Sequence, residues 1–442
     1  MKLFTFRGGV HPLKEKQAGK TATCAKPVRE FTAQVVYIPV DMHIGAPSAP
    51  CVKKGDTVLM GQKIADAVGG IGIPVHASVS GVVKEVGTMQ MLRSMASQYI
   101  AIENDGKDEW TELKPLGSVE TVPQELIVPA IKEAGICGMG GACFPTHAKL
   151  NIPEGKFIDT VIVNGAECET YLTADHRLML EEPEKVVKGL IAAMRAVNAK
   201  RGVIAIENNK LDAIASMQKA ASGKANIEVA VLKTKYPQGG EKQLIDAVLG
   251  RQVPSGGLPM DANAVVINVG TSKAVCEAIE EGKPLISRIT TVTGAVKEPD
   301  NLLLRIGTPV IDAVNACGGY AETPGKILFG GTMTGNAIPS DNVPVTKANN
   351  GIVVLTEKEA IIPKEDPCIR CGRCVDVCPI YLKPNELKVK LVLGRLEEAQ
   401  KKHLEDCILC GACSYICPAR RLLTPAFKEG KDKLAMMRRK KA

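Results

Sequence analysis

From about residue 34 to 105 the chain alternates valine and isoleucine with polar residues, broken by glycine, as in CVKKGDTVLMGQKIADAVGGIGIPVHASVSGVVKEVG. A period of two interrupted by turns predicts short strands that close into a small β sandwich or barrel. The pattern changes near residue 123. VPQELIVPAIKEAG, PEKVVKGLIAAMRAVNA and KLDAIASMQKAASG have helical spacing, whereas FIDTVIVNGAE, RGVIAIENN and IEVAVLKT are continuous apolar runs. Strands alternating with helices predict a parallel sheet whose ligand lies at the carboxyl ends of its strands. The polar strand ends NGAECE and ENNK mark that place.

Between roughly 263 and 330 the pattern turns to β again, with ANAVVINVG, LISRITTVTGAV and KILFGG around one short helix, IDAVNACGG. A β-grasp-like module fits it. NNGIVVLT then leads through the acidic, proline-containing EKEAIIPKEDP into a cysteine-rich end. The expected fold is therefore α/β and multidomain. Its parts are an N-terminal β domain over 1–112, an α/β domain over 113–258, a β-grasp-like domain over 259–345, a linker over 346–365 and a helical domain over 366–442. The phrase VKKGDTVLMGQKIA followed by PVHASVSGVV resembles the barrel-sandwich domain of biotinyl and lipoyl carriers. In those carriers a lysine at a hairpin tip bears the prosthetic group. The matching tip here, near AVGGIG, has no lysine, so the domain reads as a structural or docking module.

With 442 residues, 45% hydrophobic and 24% charged, the chain has the composition of an ordinary globular protein of several domains. No run of about 18 apolar residues is present, and MKLFTFRGGVHP lacks the apolar centre of a signal peptide. The expectation is a cytoplasmic protein without a membrane span, whose 15 cysteines stay reduced. Cys24, Cys51, Cys276 and Cys317 read as simple thiols. The net charge of +8 is concentrated: from Cys368 onward there are 17 Lys and Arg against 8 Asp and Glu. Such basicity offsets the negative charge of thiolate-bound metal, and the tail MRRKK, residues 437–441, reads as a solvated end or as a contact for an acidic carrier protein or anionic lipid. Only 3% of residues are aromatic and none interleaves with these charges, which disfavours nucleic acid.

The cysteine-rich end contains CIRCGRCVDVCPI from residue 368 and CILCGACSYICPA from residue 407. Zinc is the rival reading, because CxxC is its usual half-site, yet zinc needs only two cysteines plus two. Three cysteines at i, i+3 and i+6 wrap one cubane, while a fourth before proline serves the neighbouring cluster. This spacing assigns one 4Fe–4S cluster to Cys368, Cys371, Cys374 and Cys417, and a second to Cys407, Cys410, Cys413 and Cys378. Gly372 and Gly411 allow each loop to turn close to its cluster.

A second site is signalled by AGICGMGGACFPTHAKL, whose glycines let backbone N–H groups approach a phosphate. Taken alone, glycine clusters also mark ordinary turns. GMGGACFPTHAK, VNGAECET, YPQGGEKQLI and VVINVGT, however, follow in the order found in the flavin subunit of respiratory NADH dehydrogenase, which this part resembles. Together with the opening FRGGVHP and the paired cysteine runs, nearly the whole chain resembles the C subunit of the Rnf membrane complex. The resemblance implies a Rossmann-like FMN- and NADH-binding domain, a β-grasp-like SLBB domain and a bis-4Fe–4S ferredoxin-like domain. It implies that Gly138, Gly140, Gly141, Thr146 and Lys149 hold the FMN phosphate and ribityl chain, completed by Asn164, Asn268 and Thr271. Glu167, Glu169 and Glu241 would face the nicotinamide nucleotide beside Gly239 and Gly240, with Phe144 and Tyr236 as wall residues. Ala166 stands where respiratory flavin subunits carry aspartate, and Cys137, Cys143 and Cys168 lie in or beside the pocket.

No Ser, His and Asp constellation is recognisable, so hydrolysis finds no support and no side chain is assigned as acid or base. By the resemblance the chain is an oxidoreductase subunit that exchanges electrons between reduced ferredoxin and NAD. Its partners are then membrane-bound subunits and an iron–sulfur carrier or ferredoxin, and its place is the cytoplasmic face of a bacterial membrane, held peripherally. Two other readings compete. One is the cobalamin reductase of bacterial microcompartments, in which the flavin motif lies near the start of the chain rather than after about 130 residues. The other is a non-enzymatic scaffold stapled by its clusters.

Overall fold

A computed structural model describes residues 3–12, 19–91 and 96–441, with side chains at the C-terminal end described as far as Arg438. The alternating segment forms two small sheets. Val35–Pro39, Ser97–Asn104, Gly81–Met89 and Thr57–Val58 make one, and Ala49–Pro50, Lys63–Asp66 and Val75–His76 the other. Val36, Ile38, Ile64, Val75, Val83, Ile100 and Ile102 fill the space between them. This module leans on the glycine-rich loop of the next domain: the Ile44 amide donates to the Cys143 carbonyl at 3.1 Å, and Ile73 packs on Cys137 and Cys143.

The continuous apolar runs form a four-stranded parallel sheet in the order Ile227–Leu232, Arg201–Glu207, Thr160–Gly165, Ala264–Asn268. Apolar cores lie on both of its faces, which is why these strands do not alternate. The chain runs outward from Thr160–Gly165 in one direction and returns to its other side with Ala264–Asn268, so the strand order reverses there. That last strand, expected in the β-grasp module, completes the parallel sheet and is followed by the helix Val269–Glu280. An apolar run alone does not say which sheet it joins.

Two other expected boundaries also shift. Gly351–Thr356, expected in the linker, pairs on both sides within a six-stranded sheet. Val28–Phe31, expected in the N-terminal β domain, runs parallel to Asp300–Arg305 at the edge of that same sheet. The residues before it form a strap. Phe4 bridges Leu232 at the edge of the parallel sheet, and Val10 bridges Tyr236. The C-terminal domain is helical, from Arg373–Asp376 to Leu423–Lys441, around Leu387, Leu404, Phe427 and Leu434. Among the described residues no helix is long and apolar enough to cross a membrane.

One close crossing fixes the site. The helices Pro183–Ala196 and Val269–Glu280 meet at Gly189, where a Cβ would stand 1.7 Å from the Ser272 carbonyl oxygen. The Ser272 hydroxyl donates to the Val186 carbonyl at 2.8 Å. Gly189→Ala is expected to push the helix Val269–Glu280 outward and to cost about 1–3 kcal/mol. Because Thr271, expected from the sequence to complete a flavin site, rides on that helix, thermal melting should fall together with retention of the expected flavin in gel filtration.

Candidate functional site

Asn164 and Asn268 end the two strands on either side of the strand-order reversal, and they lie opposite each other in register. In open α/β sheets this crevice is where ligands bind. A cavity of about 530 Å³ opens there. Its walls include Gly138, Gly140, Gly141, Phe144, Thr146, Lys149, Asn164, Glu169, Tyr236, Gly239, Gly240, Glu241, Asn268 and Thr271. Every expected cofactor residue except Glu167 is therefore brought to one place.

The phosphate end is built from backbone and small side chains. Met139 donates its amide to the Thr271 hydroxyl at 2.9 Å, which ties the glycine loop to the start of the helix Val269–Glu280. Asn268 caps that helix by accepting from the Gly270 amide at 2.8 Å. Gly141 has a φ of +131° with open space where a Cβ would project, a backbone state reserved for glycine. The Thr146 hydroxyl is buried, and among the described residues it has no hydrogen-bond partner. Lys149 reaches the Glu241 carboxylate at 2.6 Å and the Val266 carbonyl at 2.9 Å. An orphaned hydroxyl, a lysine and a helix N-terminus around a glycine loop are a donor set that fits the phosphate and ribityl chain of FMN.

The opposite wall differs from expectation in its carboxylates. Glu167 lies behind the pocket at a φ of +47°. It accepts from the Asp175 amide at 2.7 Å and the His176 amide at 3.3 Å, with the Lys20 ammonium 4.0 Å away. Those amides draw it inward, and burial pushes its carboxyl up to about 7 against the pull of Lys20. Glu169 does line the pocket, yet both of its oxygens are committed to the turn at residues 333–334. It accepts from the Met333 amide at 3.1 Å, the Thr334 amide at 2.9 Å and the Thr334 hydroxyl. Glu241 is the expected carboxylate that stays half-exposed, with 38% of its side chain accessible. Cys143 and Cys168 border the cavity, while Cys137 lies beneath it.

The cysteine-rich domain closes the cavity. Ile408 and Cys410 form part of its wall, and the Tyr236 hydroxyl donates to the Cys410 carbonyl at 2.7 Å. Cys378 stands within electrostatic range of Cys407, Cys410 and Cys413, and Cys417 within range of Cys374. Cys378 of the first run thus stands with cysteines of the second, and Cys417 of the second with Cys374 of the first. Gly372 and Gly411 have φ of +79° and +81°. Among the described residues no three His, Cys, Asp or Glu are gathered as ligands of a single metal ion. Two loops of soft thiolates with left-handed glycines fit cubane clusters. Cys378 and Cys413 are buried and Cys407 and Cys410 partly so, with Cys410 on the pocket wall, whereas Cys368 and Cys371 are exposed.

Periodicity does not reveal the strap. The amide of Gly9 donates to the Val377 carbonyl at 2.9 Å, and Val10 and Tyr236 exchange amide-to-carbonyl bonds of 2.8 Å. A Cβ at Gly9 would lie 2.6 Å from the Tyr236 carbonyl oxygen, which explains the glycine at that point of FRGGVHP. Lys20 donates to the carbonyls of Glu167, Glu169 and Leu172 at 2.9, 2.8 and 2.5 Å. No pattern in the sequence around Lys20 marked that role. Gln243, inside YPQGGEKQLI but not singled out there, also lines the cavity, as does Thr334, which no motif announces.

Known families match the chain in the same order as its domains. The RnfC barrel sandwich hybrid domain matches residues 4–107, the Nuo51 FMN-binding domain 131–277, the SLBB domain 289–337 and a 4Fe-4S dicluster domain 365–436. The chain is 44% identical over 441 residues to the C subunit of the Na(+)-translocating ferredoxin:NAD(+) oxidoreductase complex of Acetobacterium woodii, covering 99% of this chain and 98% of that one. It is 46% identical over 404 residues to the C subunit of the proton-translocating ferredoxin:NAD(+) oxidoreductase complex of Clostridium ljungdahlii, covering 91% and 87%. Among solved structures, a chain of an NAD+-reducing NiFe hydrogenase in its H2-reduced state aligns with a TM-score of 0.51 at 19% identity. That alignment covers 74% of this chain and 68% of that one, and it supports the fold alone. FMN and two 4Fe–4S clusters are the cofactors to which these domains and donor sets correspond.

Lys149→Ala removes the ammonium beside the glycine loop and is expected to weaken FMN binding about tenfold or more, read by fluorescence titration of the apoprotein. Tyr236→Phe keeps the wall but strands the Cys410 carbonyl. Flavin binding should be retained, while the denaturant midpoint for cluster bleaching falls by the equivalent of about 1 kcal/mol.

Proposed function

The chain belongs to the C-subunit family of ion-translocating ferredoxin:NAD(+) oxidoreductase complexes, and from that premise we propose that its cavity is where NAD(H) meets the electron path of such a complex. Chain-long likeness to C subunits favours this over a cobalamin reductase, and an intact pocket joined to the cysteine loops favours it over a scaffold. The observation that carries the reading is the shared wall, in which Tyr236, Ile408 and Cys410 face the same cavity as the glycine loop.

When bound, FMN and the clusters supply exchange between a two-electron hydride and one-electron carriers. The residues of this chain supply placement. Gly138, Gly140, Gly141, Thr146 and Thr271 surround the phosphate end, and Asn164 and Asn268 shape the crevice, their amides donating to the Gly239 carbonyl at 2.8 Å and the Asp175 carboxylate at 2.7 Å. Lys149 and Glu241 pair with each other, but the pair is partly exposed and so worth under about 1 kcal/mol. Trading it is therefore cheap: Lys149 turns to a phosphate and Glu241 is freed for the nucleotide's hydroxyls. Glu169 serves by bracing the turn at Met333 and Thr334 over the site, and Glu167 by holding the helix Ala174–Glu181 behind it. Phe144 and Tyr236 exclude water from the wall. Cys378, Cys407, Cys410 and Cys413 hold the inner cluster, and Cys368, Cys371, Cys374 and Cys417 the outer one.

In this reading the ion-moving partners are other subunits, and this chain sits peripherally on the cytoplasmic face of the membrane beside an iron–sulfur carrier. The test is anaerobic. With the chain reconstituted with iron, sulfide and FMN, NADH is expected to bleach the flavin band and to raise a reduced-cluster EPR signal. FMN that binds yet stays oxidised under excess NADH contradicts the reading.

A further inference from the structure

The two cysteine sets differ in surroundings as much as in burial. Cys378 and Cys413 are 8% and 9% exposed, whereas the run Pro367, Cys368, Ile369, Arg370 and Cys371 is exposed throughout. Ile369, between two cysteines, leaves 68% of its surface open. Arg370, Arg373 and Arg420 are all exposed, and each lies within three residues of a cysteine of this outer set. Among the described residues none of the three side chains makes an ion pair or a hydrogen bond. The acidic residues nearby do not cancel them. Glu365 is already held by Lys388 at 3.4 Å and Arg421 at 3.3 Å, which leaves Asp366, beside the exposed run, and Asp376, on the adjacent short helix, against the three arginines.

An apolar centre with a rim of unpaired guanidinium groups is the anatomy of a surface that recruits a protein of opposite charge. We propose that the face around Ile369, Arg370, Arg373 and Arg420 docks an acidic one-electron carrier protein against the outer cluster; this rests on the electron path proposed above. The cysteine ligands decide the class of partner. A lipid surface would gain from the arginines but has no use for metal-binding sulfurs at the centre of the patch, whereas a carrier needs its own centre brought within a short gap of them. Weak, salt-sensitive docking also suits a carrier that must leave after each transfer.

The probe is an acidic bacterial ferredoxin with two 4Fe–4S clusters, titrated against the reconstituted chain by isothermal calorimetry, with anionic phosphatidylglycerol vesicles as the alternative ligand. Arg370→Glu, Arg373→Glu and Arg420→Glu combined are expected to weaken ferredoxin binding about tenfold or more at low salt and to abolish most of its salt dependence. Ile369→Asp should weaken it as well. Visible absorbance and NADH bleaching of the flavin, unchanged in both variants, keep the result separate from the internal path. Failure of NADH to reduce the unaltered chain sinks that path instead. Ferredoxin affinity unchanged in both variants, or a loss confined to the vesicles, overturns the proposal.

Discussion

The parallel-sheet pocket and the cysteine-rich domain, far apart in sequence, meet where the Tyr236 hydroxyl donates to the Cys410 carbonyl, 2.7 Å away across 174 residues. Electron transfer falls steeply with distance, so a flavin pocket and a cluster loop are useful together only if one forms the wall of the other. Tyr236 meets that constraint from the pocket side. The strap meets it from outside, since Val10 pairs with Tyr236 while Gly9 holds Val377, next to Cys378. The N-terminal residues thus lace the helical domain to the parallel sheet, and glycine is required at residue 9 because no Cβ fits there.

Behind the pocket the chain carries an unusual density of buried charge. Lys20, Lys210, Glu167, Glu207 and Asp175 are all nearly inaccessible. Lys20 and Lys210 donate to main-chain carbonyls of the loop after Thr160–Gly165, with the Lys210 ammonium 2.7 Å from the Ala166 oxygen. Burial lowers the Lys20 ammonium and raises the carboxyls of Glu207 and Asp175. Removing one member strands another, at a cost of about 3–5 kcal/mol. What the network achieves is shape. It fixes a loop with positive φ at Glu167 and Tyr171, so that Glu169 points forward to brace the turn at Met333 and Thr334.

What was legible in the sequence follows from which interactions are local. The cysteine runs could be read because the geometry of a cubane is encoded in spacing over about ten residues, and the glycine loop because phosphate demands backbone without side chains. The parallel strands show as apolar runs, but periodicity allots Ala264–Asn268 to the wrong sheet because partner choice is a long-range property. Glu167 was expected in the pocket from its motif, and a single left-handed residue turned it away. Lys20 and the strap were invisible, since a lysine that serves three carbonyls 147 to 152 residues away leaves no periodic trace.

On the proposed path electrons pass in order from the cavity to the cluster assigned to Cys378, Cys407, Cys410 and Cys413, and then to the exposed one assigned to Cys368, Cys371, Cys374 and Cys417. Selective loss of one cluster tests it most directly, by EPR of the reconstituted chain after NADH alone and after dithionite. In Cys371→Ser the remaining inner cluster is predicted to be reduced by NADH. In Cys410→Ser the remaining outer cluster is predicted to stay oxidised with NADH and to be reduced by dithionite. Reduction of the outer cluster by NADH in Cys410→Ser, at the rate seen in the unaltered chain, would contradict the account.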